Sequence, residues 1–548
     1  MKKNVLGFLI ASLPSLALGQ FNEGIGTYKD QEGHSVQRTK VDPGFIAAGR
    51  DGHSVFGARE ASIVKTKPDG TPQWSMVYGG VGDESFNSIR EIHSHATLPV
   101  DGYAALGTTT SFNSSEDLYF VRTDLSGSPL YSFTFGKKEG IERGHCLQYI
   151  KDYATGGYGY VMVGQTNSYP YYGYSTDILI IKTDEDGAVT KAKVIGAQGD
   201  DIAYWVEQTR DGQFVVTGST TTTPGGNNDI FVIRLDKDLE PVWQFIFKHC
   251  EIPYEDIGYG VVENPLDGSF TVTGFTKSFG LEYSQDAFLL NLKANGSFVW
   301  MRTYGTKEIE QGISIDLSNG GKEYVVSGFA IDGEGDKDAW VFKTDMIGNP
   351  LWSNLYGASG NSVEGATEIS NDGLDGYIFT GTAQSSFTIN EDYYLVNLDH
   401  NGKSGLCEKE FTRESKFQKP CLSANFQAVN INDIRFACTQ YEKVDYVARK
   451  CSDRLIGKLS PQRSSDEEAI TISPNPTSTS VKILFQDAAI TGAGGTLTVF
   501  NRNGKVVYEG DVTSDEVRIP VEGLPSDIYM VRFIGKDGKQ YQKKFIKK

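Results

Sequence analysis

Carboxylates recur along this chain at two fixed places. One set, Glu60, Asp117, Asp177, Asp229, Asp286, Asp338 and Asp392, stands just ahead of a short apolar run. A residue present in every repeat serves the repeat itself, and such carboxylates accept hydrogen bonds from turn N–H groups. A second set opens a different run: Glu84, Glu142, Asp201, Asp256 and Glu310 share one register, and Glu32 and Glu364 stand one position later. A ring of carboxylates there could hold Ca²⁺ or bind a cationic or hydroxylated ligand. The plain structural reading is again loop capping. Aromatic residues crowd two variable loops, with Tyr169, Tyr171, Tyr172 and Tyr174 in one, Phe279 and Tyr283 in another, and Tyr254 nearby. Rings beside acids suit carbohydrate or protein recognition, because rings stack on apolar faces while carboxylates take hydroxyl hydrogen bonds. Rim packing would use the same residues. His93 and His95 have the spacing of a metal pair on a strand but lack a third ligand. No GxSxG, HExxH, P-loop or Cys/His constellation occurs.

The elements that must position these groups are repeats. An apolar strand closing on Gly49, Gly107, Gly164, Gly218, Gly274, Gly328 and Gly381 returns every 53 to 58 residues. Another follows as ASIVKT, LYFVRT, ILIIKT, IFVIRL, AFLLNL, AWVFKT and YYLVNL, then a turn, then phrases such as TPQWSMVYG and NPLWSNLYG. With a further short strand upstream, each unit has four strands, A to D. Seven such units predict a seven-bladed β-propeller over residues 20–406. The recurring tryptophans read as packing between blades. Unit seven lacks a clear strand D, which either FNEGIGT at the N-terminus or KSGLCEKEF could supply, removing an exposed edge. Antiparallel alternation puts the D–A and B–C loops on one face.

Composition agrees with an all-β chain. Of 548 residues 62 are Gly, and charged residues make up 22%. The formal charge of −18 excludes a nucleic-acid partner, which needs a basic footprint. Lys2 and Lys3, the apolar stretch Val5 to Leu13 and Ala17-Leu18-Gly19 form a signal peptide over residues 1–19. No later run is apolar enough to span a bilayer as a helix. Residues 407–467 hold Cys407, Cys421, Cys438 and Cys451 and then a polar linker; two disulfides with three possible pairings are the simplest expectation. Cys146 and Cys250 read as buried thiols. Residues 468–548 carry short alternating strands and predict a small β-sandwich.

The tail opens with Pro474-Asn475-Pro476, continues through Val499-Phe500-Asn501, Gly504, Val506-Val507, Leu524-Pro525 and Ile528-Tyr529, and ends on KKFIKK with Lys547 and Lys548. These motifs resemble the type A C-terminal sorting domain of type IX secretion substrates. The resemblance implies export across the outer membrane by that machinery, removal of the tail and attachment to surface lipopolysaccharide. Asp527 stands where the family usually has Gly, in a turn Asp can tolerate. The repeats, too, resemble those of such secreted proteins, a likeness that implies a scaffold and no chemistry.

Together these readings describe a secreted or cell-surface propeller, a non-enzymatic binding or adhesion module that recognises a glycan or protein through its B–C and D–A face. Two alternatives stay open. One is a polysaccharide hydrolase or lyase with an acidic site at the channel mouth; the other is a purely structural surface component.

Overall fold

The computed structural model describes residues 20–405 apart from short loop stretches, the strands between Glu408 and Lys450, and residues 470–547 apart from turns. The described residues are organised as strands and form two compact units, Met1–Ile456 and Gly457–Lys548.

In the first unit seven sheets follow one antiparallel order, A-B-C-D. Sheet one runs through Gln31–Thr39, Gly44–Asp51, Glu60–Thr66 and Pro72–Gly79. The A strands of sheets two to seven begin at Glu84, Glu142, Asp201, Asp256, Glu310 and Glu364. Each A strand neighbours the A strands of the sheets before and after it, and that of sheet seven neighbours sheet one, so the seven surround an axis. Strands B and C are buried on both faces, as in DAFLLNL of sheet five. They read as apolar runs rather than alternating ones because each sheet face packs on a neighbouring sheet. Ile46, Ala48 and Ile63 of sheet one, for example, share a core with Phe86, Ile89 and Tyr103 of sheet two. Each such aliphatic side chain contributes about 1.5–3 kcal/mol by burial.

The tryptophans hold these seams, as expected. Trp74 lies over Gly127 in the C–D turn of the next sheet, Trp243 over Gly296, Trp300 over Gly348 and Trp352 over Gly402. The glycines have φ of 73–81° and no room for a side chain beneath the ring. Polar atoms close the same contacts: Tyr304 Oη donates to Gly348 O at 2.7 Å and Trp352 Nε1 to His400 O at 3.2 Å. One seam differs on both sides at once. Sheet three has Lys191 at the ring position, and sheet four has buried Leu239, with φ of 63°, at the turn position. A leucine in the left-handed region is unusual; its side chain is buried in the core that sheets three and four share.

The N-terminal segment closes the ring. Phe21–Gly26 is the fourth strand of sheet seven, paired from Phe21↔Asn397 to Ile25↔Tyr393. KSGLCEKEF does not take that place; its Glu408–Glu410 pairs with sheet six. The region after residue 406, expected as a cysteine-bearing segment and linker, contributes between Glu408 and Lys450 a strap of edge strands running backwards around the ring. Glu414–Gln418 pairs with sheet five, Cys421–Ser423 with sheet four, Gln427–Asn430 with sheet three, Gln440–Lys443 with sheet one, and Val447–Lys450 with Phe21–Gly26 of sheet seven. Edge strands left open are templates for aggregation, and among the described residues the strap strands pair with the outer edges of six of the seven sheets. Cys146 is a buried free thiol. Cys421 lies on sheet four opposite Lys248; Cys250, Cys407, Cys438 and Cys451 lie outside the described residues, and no disulfide forms among those described.

The second unit has a sheet of Ile470–Ser473, Ser480–Phe485 and Glu516–Pro520, and one of Val506–Val512, Gly495–Asn501, Asp527–Gly535 and Gln540–Lys547. Val481 and Ile519 of the first share a core with Leu497, Val531 and Phe545 of the second. Asp527 starts a strand opposite Lys547. Tyr529 is buried, stacks on Phe545 and donates from Oη to Pro525 O at 2.9 Å. Pro474, Asn475, Pro476, Gly504 and Lys548 lie outside the described residues.

Candidate functional site

Every A strand carries a β-bulge at the same register, three residues after its start. A bulge re-aims the extra side chain, so the bulges place His34, Asn87, His145, Tyr204, Tyr259, Ile313 and Thr367 in one layer around the axis, near the D–A face. Around part of the ring these side chains stitch neighbouring sheets. Thr367 Oγ1 donates to Gly33 O, His34 Nδ1 meets Phe86 O and Asn87 Nδ2 donates to Gly144 O, each at 2.8 Å. Over sheets three to five the layer becomes an aromatic arc: His145 to Tyr204 at 5.3 Å, Tyr204 to Tyr259 at 5.0 Å and Tyr259 to Phe275 at 6.0 Å between ring centres. Burial pushes the His145 imidazole down to about 4, so it is neutral at physiological pH.

On sheets one and seven the same mouth is charged. Glu32 pairs with Arg50 and lies 3.4 Å from His34 Nε2. Burial works against the Glu32 carboxylate, but hydrogen bonds from His34 and Arg50 and the Arg50 charge hold it down at about 2. Glu391, at the start of strand C in sheet seven, is pushed the other way by burial and by the charge and hydrogen bond of Glu32. Its N–H donates to Asp30 Oδ1 at 3.2 Å.

Below this layer the channel holds Arg90, Glu207, Asp316 and Glu368. Arg90 Nη1 meets Glu368 Oε1 at 3.1 Å. Glu207 accepts from Glu263 N at 3.3 Å and Asp316 from Asn371 N at 2.7 Å. Burial raises Glu207 to about 8 and raises Asp316 as well.

The expected acidic ring does not open at the mouth. Glu84, Glu142, Asp201, Asp256 and Glu310 are at most 2% exposed and face the seams between sheets. Each closes its own loops. Glu84 accepts from Thr109 Oγ1 at 2.7 Å and Gly80 N at 3.1 Å, Glu142 from Thr166 Oγ1 at 2.6 Å, Asp201 from Ala197 N at 2.7 Å, and Glu310 from Thr306 Oγ1 at 2.7 Å. Glu364 stands in register with these five, and in sheet one that register holds Gln31, with Glu32 a position later. The strand-C acids reach the same seams: a side chain at Gly79 would collide with both Glu60 and Glu84. Burial, with the charge of the partner acid, raises Asp201 and Asp256 to about 7. Among the described residues no group of three or more His, Cys, Asp or Glu side chains is arranged to hold a metal ion.

The loop aromatics divide. Phe279 is buried, 4.9 Å from His249. Tyr169 is half-buried between Phe135 and the Lys137 ammonium, 3.7 Å from its ring centre. Tyr254 is 47% exposed. Tyr171, Tyr172, Tyr174 and Tyr283 lie outside the described residues, as does His95; His93 lies 3.6 Å from Glu91.

Sequence reasoning missed the bulge layer and the Arg90 cluster. A bulge shows in sequence only as an extra residue inside a strand, here three positions after an acid, and the residue types at that position differ from unit to unit.

Residues 471–548 match the secretion system C-terminal sorting domain, and residues 209–241 match a β-propeller domain of unknown function, DUF5122. No curated protein matches. Among solved structures, the extracellular domain of BT4673 from B. thetaiotaomicron is 9% identical, covers 94% of this chain and 80% of its own, and has a TM-score of 0.21. The tricorn protease is 10% identical over 93% of this chain and 51% of its own, with a TM-score of 0.25. Scores this low carry no argument about fold or function. No helix among the described residues is long and apolar enough to cross a membrane. The chain is a β-propeller repeat protein with a type IX sorting tail, exported to the cell surface or the medium.

Proposed function

We propose that this protein is a non-enzymatic glycan-binding module displayed outside the cell. In this reading a signal peptide over residues 1–19 delivers the chain to the periplasm. The seven sheets are the blades of a seven-bladed propeller with its strap, and the terminal unit is a β-sandwich that engages the secretion machinery before the product attaches to surface lipopolysaccharide. One observation carries the binding role: the channel mouth has two unlike walls, an aromatic arc over sheets three to five and the Glu32–Arg50–Glu391 cluster over sheets seven and one. Aromatic faces stack on the apolar faces of sugar rings, while carboxylates and guanidinium take their hydroxyls. Exposed Tyr254 stands on the rim, outside these two walls.

The opposed shifts of Glu32 and Glu391 favour a second reading, a hydrolase, since acid–base pairs are made that way. Their hydrogen-bond contact counts against it, because glycosidase carboxylates stand roughly 5 Å or more apart. A glycan array probed with the full chain, with and without Ca²⁺, tests the proposal. Binding to a defined saccharide set is expected. No binding in either condition would overturn the glycan reading.

A further inference from the structure

Arg90, three residues beyond the bulge in sheet two, reaches well past its own wall. Its Nη1 ion-pairs with Glu368 on sheet seven at 3.1 Å, and its Nε donates to Gln148 Oε1 on sheet three at 3.3 Å. The guanidinium carbon lies 5.7 Å from the centre of the Trp205 ring on sheet four. In a ring of seven A strands, one side chain that touches three others, on both sides of its own and beyond its neighbours, must lie across the bore. Glu207 on sheet four and Asp316 on sheet six feel its charge, so the layer draws on five of the seven sheets. Both Arg90 and Glu368 are under 10% exposed. A buried arginine is held this firmly only when its charge is matched and its donors are used.

We propose that Arg90 plugs the channel and makes its mouth a blind cup, which takes the terminal residue of a glycan chain end-on rather than a strand threaded through the bore or laid across the face. This rests on the glycan reading above. A cup walled on one side by rings and on the other by carboxylates leaves a single open direction, so the chain must end inside it. In the wall and floor Glu32 and Glu368 are matched by Arg50 and Arg90, and burial holds Glu391, Glu207 and Asp316 toward their neutral, proton-bearing forms. Neither guanidinium of this wall and floor is left over to pair with a sugar carboxylate, so the terminal residue is a neutral sugar, and uronic or sialic acids are refused.

The test uses the full chain and a panel of neutral mono-, tri- and hexasaccharides, each with a free or a 4,6-O-benzylidene-capped non-reducing end, titrated by calorimetry. The cup predicts that capping weakens binding at least tenfold and that affinity stops rising by the trisaccharide. Equal binding of capped and free chains, or affinity that keeps climbing to the hexasaccharide, overturns the cup while leaving glycan binding intact. No binding of any saccharide overturns the glycan reading itself. Arg90→Ala should open the floor and abolish the discrimination against capped ends. Arg90→Met fills the same space and should keep it, with melting curves showing that both variants fold. Discrimination unchanged in a folded Arg90→Ala variant would also overturn the proposal.

Discussion

Replacing Asp256 by Asn should remove one distinct component of the pH dependence of propeller stability. The side chain is fully buried, and its Oδ1 accepts from Thr276 Oγ1 at 2.5 Å and from Ser278 N at 3.2 Å. Its Oδ2 has no hydrogen-bond partner. Burial, with Asp229 nearby, raises the carboxyl from 3.8 to about 7. The folded state therefore binds the proton more tightly than the unfolded chain does. The contribution is fully present below pH 3.8, declines as pH rises toward 7, and is constant above that. A shift of this size corresponds to about 4 kcal/mol at most. Asparagine keeps the accepting oxygen and cannot ionise. Relative to wild type, Asp256→Asn should therefore gain stability steadily between pH 4 and pH 7, measured as urea midpoints at half-unit pH intervals. Parallel profiles for the two proteins would refute the reasoning. So would millimolar Ca²⁺ stabilising wild type at pH 8 but not the variant, because the carboxylate would then hold a cation rather than a proton.

Other perturbations probe the seams and the strap. Leu239→Gly relieves a left-handed backbone but empties a buried site, with an expected net loss of about 2 kcal/mol by denaturant unfolding; adding Lys191→Trp, which restores the ring-over-glycine contact, should recover most of it. Gly348→Ala would set a Cβ against Tyr304, Arg302 and Trp300 at φ of 79° and should cost about 2 kcal/mol or more, whereas Gly333→Ala, with open space around it, should be near neutral. Deleting residues 407–456 uncovers the D-strand edges of at least five sheets and the outer edge of Phe21–Gly26; size-exclusion chromatography should then show association, and a monodisperse monomer would contradict the role given to the strap.

How much of this was legible in the sequence followed from how often each physical demand repeats. The strands, and the tryptophan set over the glycine of the next turn, recur in most units because every seam poses the same packing problem. The strand-A acids recur for the same reason, and their burial follows from the loops they close. The strap was not legible, since segments of three to five residues such as Cys421–Ser423 owe their pairing to a neighbouring edge rather than to their own pattern. Clustered cysteines drew attention there instead. Arg90 and the aromatic arc were hidden because strand A varies most along the axis, where Ser35, Trp205 and Glu368 occupy equivalent positions. Sequence order gave no hint that Arg90 and Glu368 would meet.

The most direct measurement is calorimetric titration of the best saccharide from the array into wild type, Tyr259→Ala, Glu32→Gln and Tyr254→Ala. If the two-walled mouth is the site, Tyr259→Ala and Glu32→Gln should each weaken binding about tenfold or more, the loss of one stacking or one charged contact, and the rim variant Tyr254→Ala should stay within about threefold of wild type. Unchanged affinity in the first two, with the loss confined to Tyr254→Ala, would place recognition on the outer rim and contradict the account.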